Sequence, residues 1–236
     1  PIDVQLQQRR LYALQQLDVN GVPYNMPGAY ILGEGVDIGR IESAVKALIN
    51  RHEALRTCFE VINGELVQRV EENVVFEVEV EEVSENEIEA KISKFVHSFD
   101  LSKAPLLRMK TLRKADGEYI LLTDMHHIIS DGTSMQLLLR DFSRALNEEQ
   151  LEELPLHYKD YAVWQQEGEG RDLLDHQSEY WRNQFEGEVP VLELPTDFVR
   201  PKIRDFNGSK YLLHLGREFA SDLDAYCRKQ GVTLYM

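Results

Sequence analysis

Two dipeptides constrain this chain most: Asn63-Gly64 and Asp116-Gly117. Each stands between strand-length apolar runs and supplies residues that tolerate the positive φ of a tight hairpin turn. Leu55 to Val61 therefore pairs with Glu65 to Val70, and Leu106 to Leu112 with Glu118 to Met125. Around these hairpins the apolar spacing becomes helical. Gln5 to Leu17 predicts a helix with Leu11, Leu14 and Leu17 on one face. Asp37 caps a second helix carrying Ile38, Ile41, Val45 and Leu48, and a third runs through Ile88, Ile92, Phe95 and Phe99. A fourth begins near Met135 with Leu138, Leu139, Phe142 and Leu146 inward; two more follow Pro155 and span His176 to Phe185. With a short strand at Ala29 to Leu32, the alternation predicts an α/β fold with a mixed sheet rather than a purely parallel one.

Nine glutamates lie between Glu71 and Glu89. Because Phe76, Val78 and Val80 alternate with Glu77, Glu79 and Glu81, the segment predicts a strand with one wet face rather than an acidic tail. The net charge of -15 disfavours binding to nucleic acid or anionic lipid, whose phosphates would be repelled. No apolar run approaches the roughly 20 residues that span a bilayer, so no membrane association is expected and the cytoplasm is the expected compartment. Cys58 and Cys227 have neither CxxC nor metal-type spacing and predict reduced thiols.

The chemistry-bearing segment is Met125-His126-His127-Ile128-Ile129-Ser130-Asp131-Gly132, where the second hairpin meets a helix. Strand alternation sends His126 and His127 to opposite faces, so at most one can be an acid/base and the other is structural. Asp131 could orient an imidazole, cap the helix with Thr133 or Ser134, or pair with an arginine. Gly132 lets the backbone turn sharply and a substrate approach closely. Diverging histidines disfavour a zinc site from His126, His127 and Asp131, and no metal is expected. Ser130 and Ser134 lie in no G-x-S-x-G elbow and suit caps better than nucleophiles. Trp164 and Tyr161, at helical spacing, predict packing residues.

His126 to Gly132 fits HHxxxDG, and four further segments follow the same order. These are Arg51 to Phe59 (RHEALRTCF), Tyr158 to Gln165 (YKDYAVWQ), Leu194 to Asp197 with Arg200-Pro201, and Gln8 to Leu14 with Tyr24 to Pro27. Together they resemble the condensation domains of nonribosomal peptide synthetases. The opening Val4 to Arg10 departs from the family's Ser-x-Ala-Gln-type start, and Thr133 stands where many members have Trp.

The resemblance implies a chloramphenicol-acetyltransferase-like two-layer α/β sandwich lobe, with residues 1–169 as the N-terminal lobe. Residues 170–236 would be the crossover helix and the start of a second lobe that the chain leaves incomplete; after the Gly231 break, Thr233 would cap a further helix. It implies amide formation between donor acyl or peptidyl and acceptor aminoacyl thioesters. These arrive on the phosphopantetheine arms of peptidyl carrier proteins, with no cofactor bound directly and with an adenylation domain and the second lobe as neighbours. His127 would be the active-site histidine, as general base or as the group that positions the amine, and His126 its structural neighbour. Asp131 would be held by Arg51 or Arg56, and Gly132 would offer an N–H near the oxyanion. The incomplete lobe pair predicts that the chain alone is inactive. The alternatives are a carrier-docking module of the same fold, another carrier- or coenzyme-A-dependent acyltransferase, or an epimerization domain. Heterocyclization domains, whose motif is aspartate-based, fit less well, and the opening helix resembles domains that take an L-configured donor.

Overall fold

A computed structural model describes residues 2–32, 36–202, 208–209 and 211–236. Contacts divide the chain into two compact units, Pro1–Pro190 and Val191–Met236. The first unit includes the helix that follows residue 167.

In the first unit, strand β1 (Ile2–Asp3) leads into helix α1 (Leu6–Leu17) and strand β2 (Gly28–Leu32). Helix α2 (Ile38–Arg51) and a 3-10 turn, Glu53–Arg56, precede strands β3 (Thr57–Ile62) and β4 (Glu65–Val70). Strand β5 (Glu79–Val83), helix α3 (Ile88–Phe95), strands β6 (Leu107–Lys114) and β7 (Tyr119–Met125), and helices α4 (Gly132–Leu146), α5 (Tyr158–Gln166) and α6 (Gly168–Gln184) follow. One sheet has the order β1-β4-β3 and the other β2-β7-β6-β5. The second sheet is mixed, since β5 runs parallel to β6 while the other pairs are antiparallel. The α/β class read from the sequence is the one observed.

Both hairpin turns form where expected, with Asn63, Gly64 and Gly117 at positive φ. Asp37 caps α2 by accepting from the Gly39 and Arg40 N–H groups. Alternation along β7 splits the packing between two faces. Ile120 and Leu122 join Leu112, Val83 and the α3 side chains Ile88, Ile92 and Phe95, while Leu121 and Met125 enter the main core with Val45, Leu48, Phe59 and Leu106.

Four expectations change. Helix α1 buries Gln8 and Gln15, and Leu17 is 83% exposed, because glutamine amides answer loop backbone that leucine could not. Alternation after Phe76 stops at Val78: β5 starts at Glu79 and Val80 is 48% exposed, with Glu81 held between Lys91 and Lys110. Helix α3 ends at Phe95, so Phe99 packs in the main core rather than with Ile88 and Ile92. On α4, Leu139 faces outward while Met135, Leu138, Phe142 and Leu146 pack inward.

The second unit holds helix α7 (Arg217–Gln230), closed by Gly231 at φ 67 with the Val232 N–H donating to the Cys227 carbonyl. The expected helix from Thr233 is a turn in which the Met236 N–H donates to the Thr233 carbonyl. Among the described residues no helix is long and apolar enough to cross a membrane.

Candidate active site

Strand β7 delivers the two histidines, and a neighbouring loop holds them. The Met26 N–H donates to the Met125 carbonyl and the His127 N–H to the Tyr24 carbonyl, both at 2.8 Å, so Tyr24 to Met26 continues the sheet beside the His-His step. Asn25 fastens this loop further, its side-chain amide donating to Asp124 at 2.7 Å and to the His97 carbonyl at 2.8 Å. Asp124 is fully buried. Burial pushes its carboxyl upward against the opposing pull of Asn25 and Arg108.

His126 is sealed inside. Its Nδ1 accepts the Ile128 N–H at 3.0 Å, so Nε2 carries the ring proton and donates to Gln15 Oε1 at 3.3 Å. The Gln15 amide in turn donates to the Asp18 and Gly21 carbonyls. Burial, with smaller effects from His127 and Arg108, depresses the His126 pKa to about 4. Because the folded value lies below the unfolded one near 6.5, the stability is complete above pH 6.5 and drains as pH falls toward 4. Stability should drop by about 2 kcal/mol between pH 7 and pH 5, where carboxylates still carry charge. Denaturant titrations at the two pH values check this, and His126→Gln should flatten the difference.

His127 is exposed and lines a cleft of about 530 Å³ together with Asp131, Tyr24, His52 and Tyr158. Leu11, Leu14, Leu55, Leu137 and Leu138 supply much of the remaining wall. The divergence expected of adjacent strand histidines is thus present: one ring is locked in protein and one meets the cleft. Burial, then Tyr161 and Asp131, push the Tyr158 phenol up to about 12, so its hydroxyl in the wall stays protonated.

Among the described residues Asp131 pairs with no arginine, neither Arg51 nor Arg56. Its Oδ1 accepts the Ser134 N–H at 2.8 Å and the Ser134 hydroxyl at 2.7 Å, capping α4, and these bonds hold its carboxyl below the ordinary value. Arg51 turns instead to Asp141 at 3.2 Å, and Arg56 donates to the Glu71 carbonyl at 2.7 Å and faces Glu53 at 3.6 Å. Both arginines line a separate groove of about 970 Å³ between α2 and the end of α4. A lost cap should cost about 1 kcal/mol, so Asp131→Ala should melt only slightly below the parent.

Gly132 starts α4 with ordinary backbone and open space where a Cβ would stand, and it is not among the cleft-lining residues. The sharp turn expected of it is absent, since its backbone lies outside the positive-φ region that favours glycine. Tyr161 and Trp164 are half exposed rather than packed, in a row of rings with Tyr158 at 5.9 and 5.8 Å. Among the described residues no group of three His, Cys, Asp or Glu side chains is placed to hold a metal.

A cluster that sequence reasoning missed joins α2 to α4. Asp141, fully buried, meets His52 Nε2 at 2.9 Å, Arg51 Nε at 3.2 Å and Arg140 Nη2 at 3.1 Å. One signal was available: Asp141 interrupts the inward series Leu138, Phe142, Ala145.

The family profile described as "Condensation domain" matches residues 2–236. Bacitracin synthase 2 of Bacillus licheniformis is 43% identical over 230 residues, 98% of this chain and 9% of that protein. Gramicidin S synthase 2 of Aneurinibacillus migulanus is 43% identical over 229 residues, 97% of this chain and 5% of that protein. Among solved structures, a four-domain nonribosomal peptide synthetase bound to AMP and glycine matches 99% of this chain and 18% of its own, with TM-score 0.81 and 21% identity. The X-domain from teicoplanin biosynthesis, solved in complex with OxyB, matches 98% of this chain and 53% of its own, with TM-score 0.79 and 23% identity. The chain thus spans less than a tenth of the two synthases and about half of the X-domain, and the chain belongs to the condensation domain family.

Proposed function

We propose that this chain is the histidine-bearing part of a nonribosomal peptide synthetase condensation domain, working in the cytoplasm on substrates tethered to carrier proteins. The observation that carries the reading is the exposed His127 in the wall of the cleft, beside a His126 that is locked by Gln15 and Ile128. The amine of an acceptor aminoacyl thioester attacks the carbonyl of a donor acyl or peptidyl thioester. The new C–N bond forms, the C–S bond breaks, and the nitrogen sheds one proton, which ends on the departing thiol. His127 holds the amine and steadies the charged intermediate, or takes its proton; both roles require a ring open to the cleft. The donor and acceptor arms are phosphopantetheine on peptidyl carriers, an adenylation domain lies alongside in the same synthetase, and a second lobe closes the cleft.

A second reading, docking without catalysis, draws on the X-domain solved with OxyB. The two are separated by supplying the complete domain with loaded donor and acceptor carriers and weighing the carrier-bound product. Amide formation supports the condensing enzyme; carrier binding with no amide supports the docking module. The 236-residue chain on its own should give no turnover, because it spans about half of the X-domain it matches and the proposed second lobe would supply the rest of the cleft; amide from this chain alone would contradict that.

A further inference from the structure

The RHE segment contributes more to the cleft than charge. His52 ends α2, where its N–H donates to the Leu48 carbonyl at 2.8 Å, and its side chain lines the same cleft as His127. Its Nε2 lies 2.9 Å from Asp141 Oδ2. Against the upward push of burial, the hydrogen bonds from His52 and Arg140 hold Asp141 ionised, so it can only accept; Nε2 carries the proton and Nδ1 keeps a lone pair. No hydrogen bond among the described residues engages that Nδ1 or either nitrogen of the His127 ring. Three histidines, His52, His127 and His157, line the cleft, and the one held by a buried carboxylate among the described residues, the arrangement that fixes a base in one tautomer, is His52.

Resting on the reading of this cleft as a condensation site, the geometry points to His52 as its proton acceptor, with His127 positioning the amine. As the C–N bond forms and the C–S bond breaks, the proton on nitrogen passes to His52 Nδ1. From there it goes to the sulfur of the departing arm, so the imidazole ends neutral and no other reactant is consumed. The charged groups around His52 suit this cycle. Asp141 from α4, which also engages Arg51 from α2 and Arg140 from α4, favours the transient imidazolium, while Arg51 and His157 ahead of α5 oppose the charge. Burial first of all holds the resting ring below its ordinary pKa, ready to accept.

His52→Gln tests the assignment in the complete domain with loaded carriers. The glutamine amide keeps a donor for Asp141 but has no basic nitrogen. The expected result is kcat about 100-fold lower with the KM for acceptor carrier unchanged and the melting temperature retained. Parental kcat in folded His52→Gln overturns the assignment. Should His52→Gln fail to fold, His52→Ala with added imidazole takes its place: recovery of rate supports the proton-accepting role, and no recovery overturns it. Amide from the unaltered domain and equally from His52→Gln removes only this inference. No amide from the unaltered domain removes both it and the condensation reading.

Discussion

Asp141→Ala should lower the unfolding free energy by about 3–5 kcal/mol, several times the cost of losing Asp131. The side chain of Asp141 is 1% exposed and those of its partners Arg51 and His52 are 10% and 17% exposed, so removal strands the Arg51 cation and the His52 N–H where water barely reaches. Arg140, 60% exposed, can return to solvent and adds little to the loss. Such a cost is a large share of the stability of a domain this size. Burial alone would raise the Asp141 pKa, but the hydrogen bonds from His52 and Arg140 outweigh it and hold the carboxyl below its ordinary value. With the folded value under the unfolded one, this contribution is full above about pH 4 and disappears as pH falls through the folded pKa. Denaturant unfolding at neutral pH checks the magnitude. A loss under 1 kcal/mol would show that α2 and α4 are held by apolar packing alone.

The contrast between Asp131 and Asp141 shows what could be read from the chain. Period-two alternation made the divergence of His126 and His127 legible, and turn chemistry made both hairpins legible, since each depends on neighbours within a few residues. Ion pairing does not. Arg51 had Asp131 and Asp141 available at separations of 80 and 90 residues, and only the packing of α2 against α4 decides between them. Motif resemblance favoured the aspartate inside HHxxxDG; the helix start there uses it as a cap. Likewise Gln8 and Gln15 read as the polar face of α1, because the loop carbonyls that Gln15 answers are fixed by tertiary structure. Phe99 kept helical spacing with Phe95 but lies beyond the helix end, where it packs under Arg108 and edge-on to His126.

His127→Ala should slow amide formation by about 100- to 10,000-fold, the range for loss of a group that positions or transfers a proton in the reacting complex. Its ring is exposed and no hydrogen bond among the described residues engages it, so the variant should fold and melt as the parent does. Truncating locked His126 has no such immunity, which is why His127 is the informative position.

The measurement that tests this most directly is the single-turnover rate of amide formation in the complete domain, read by mass spectrometry of carrier-bound product. Parent and His127→Ala would be compared at equal melting temperature and with saturating loaded carriers. The predicted result is product from the parent and a rate at least 100-fold lower from the variant. Equal rates from the two would contradict the account and leave His127 a bystander in the cleft.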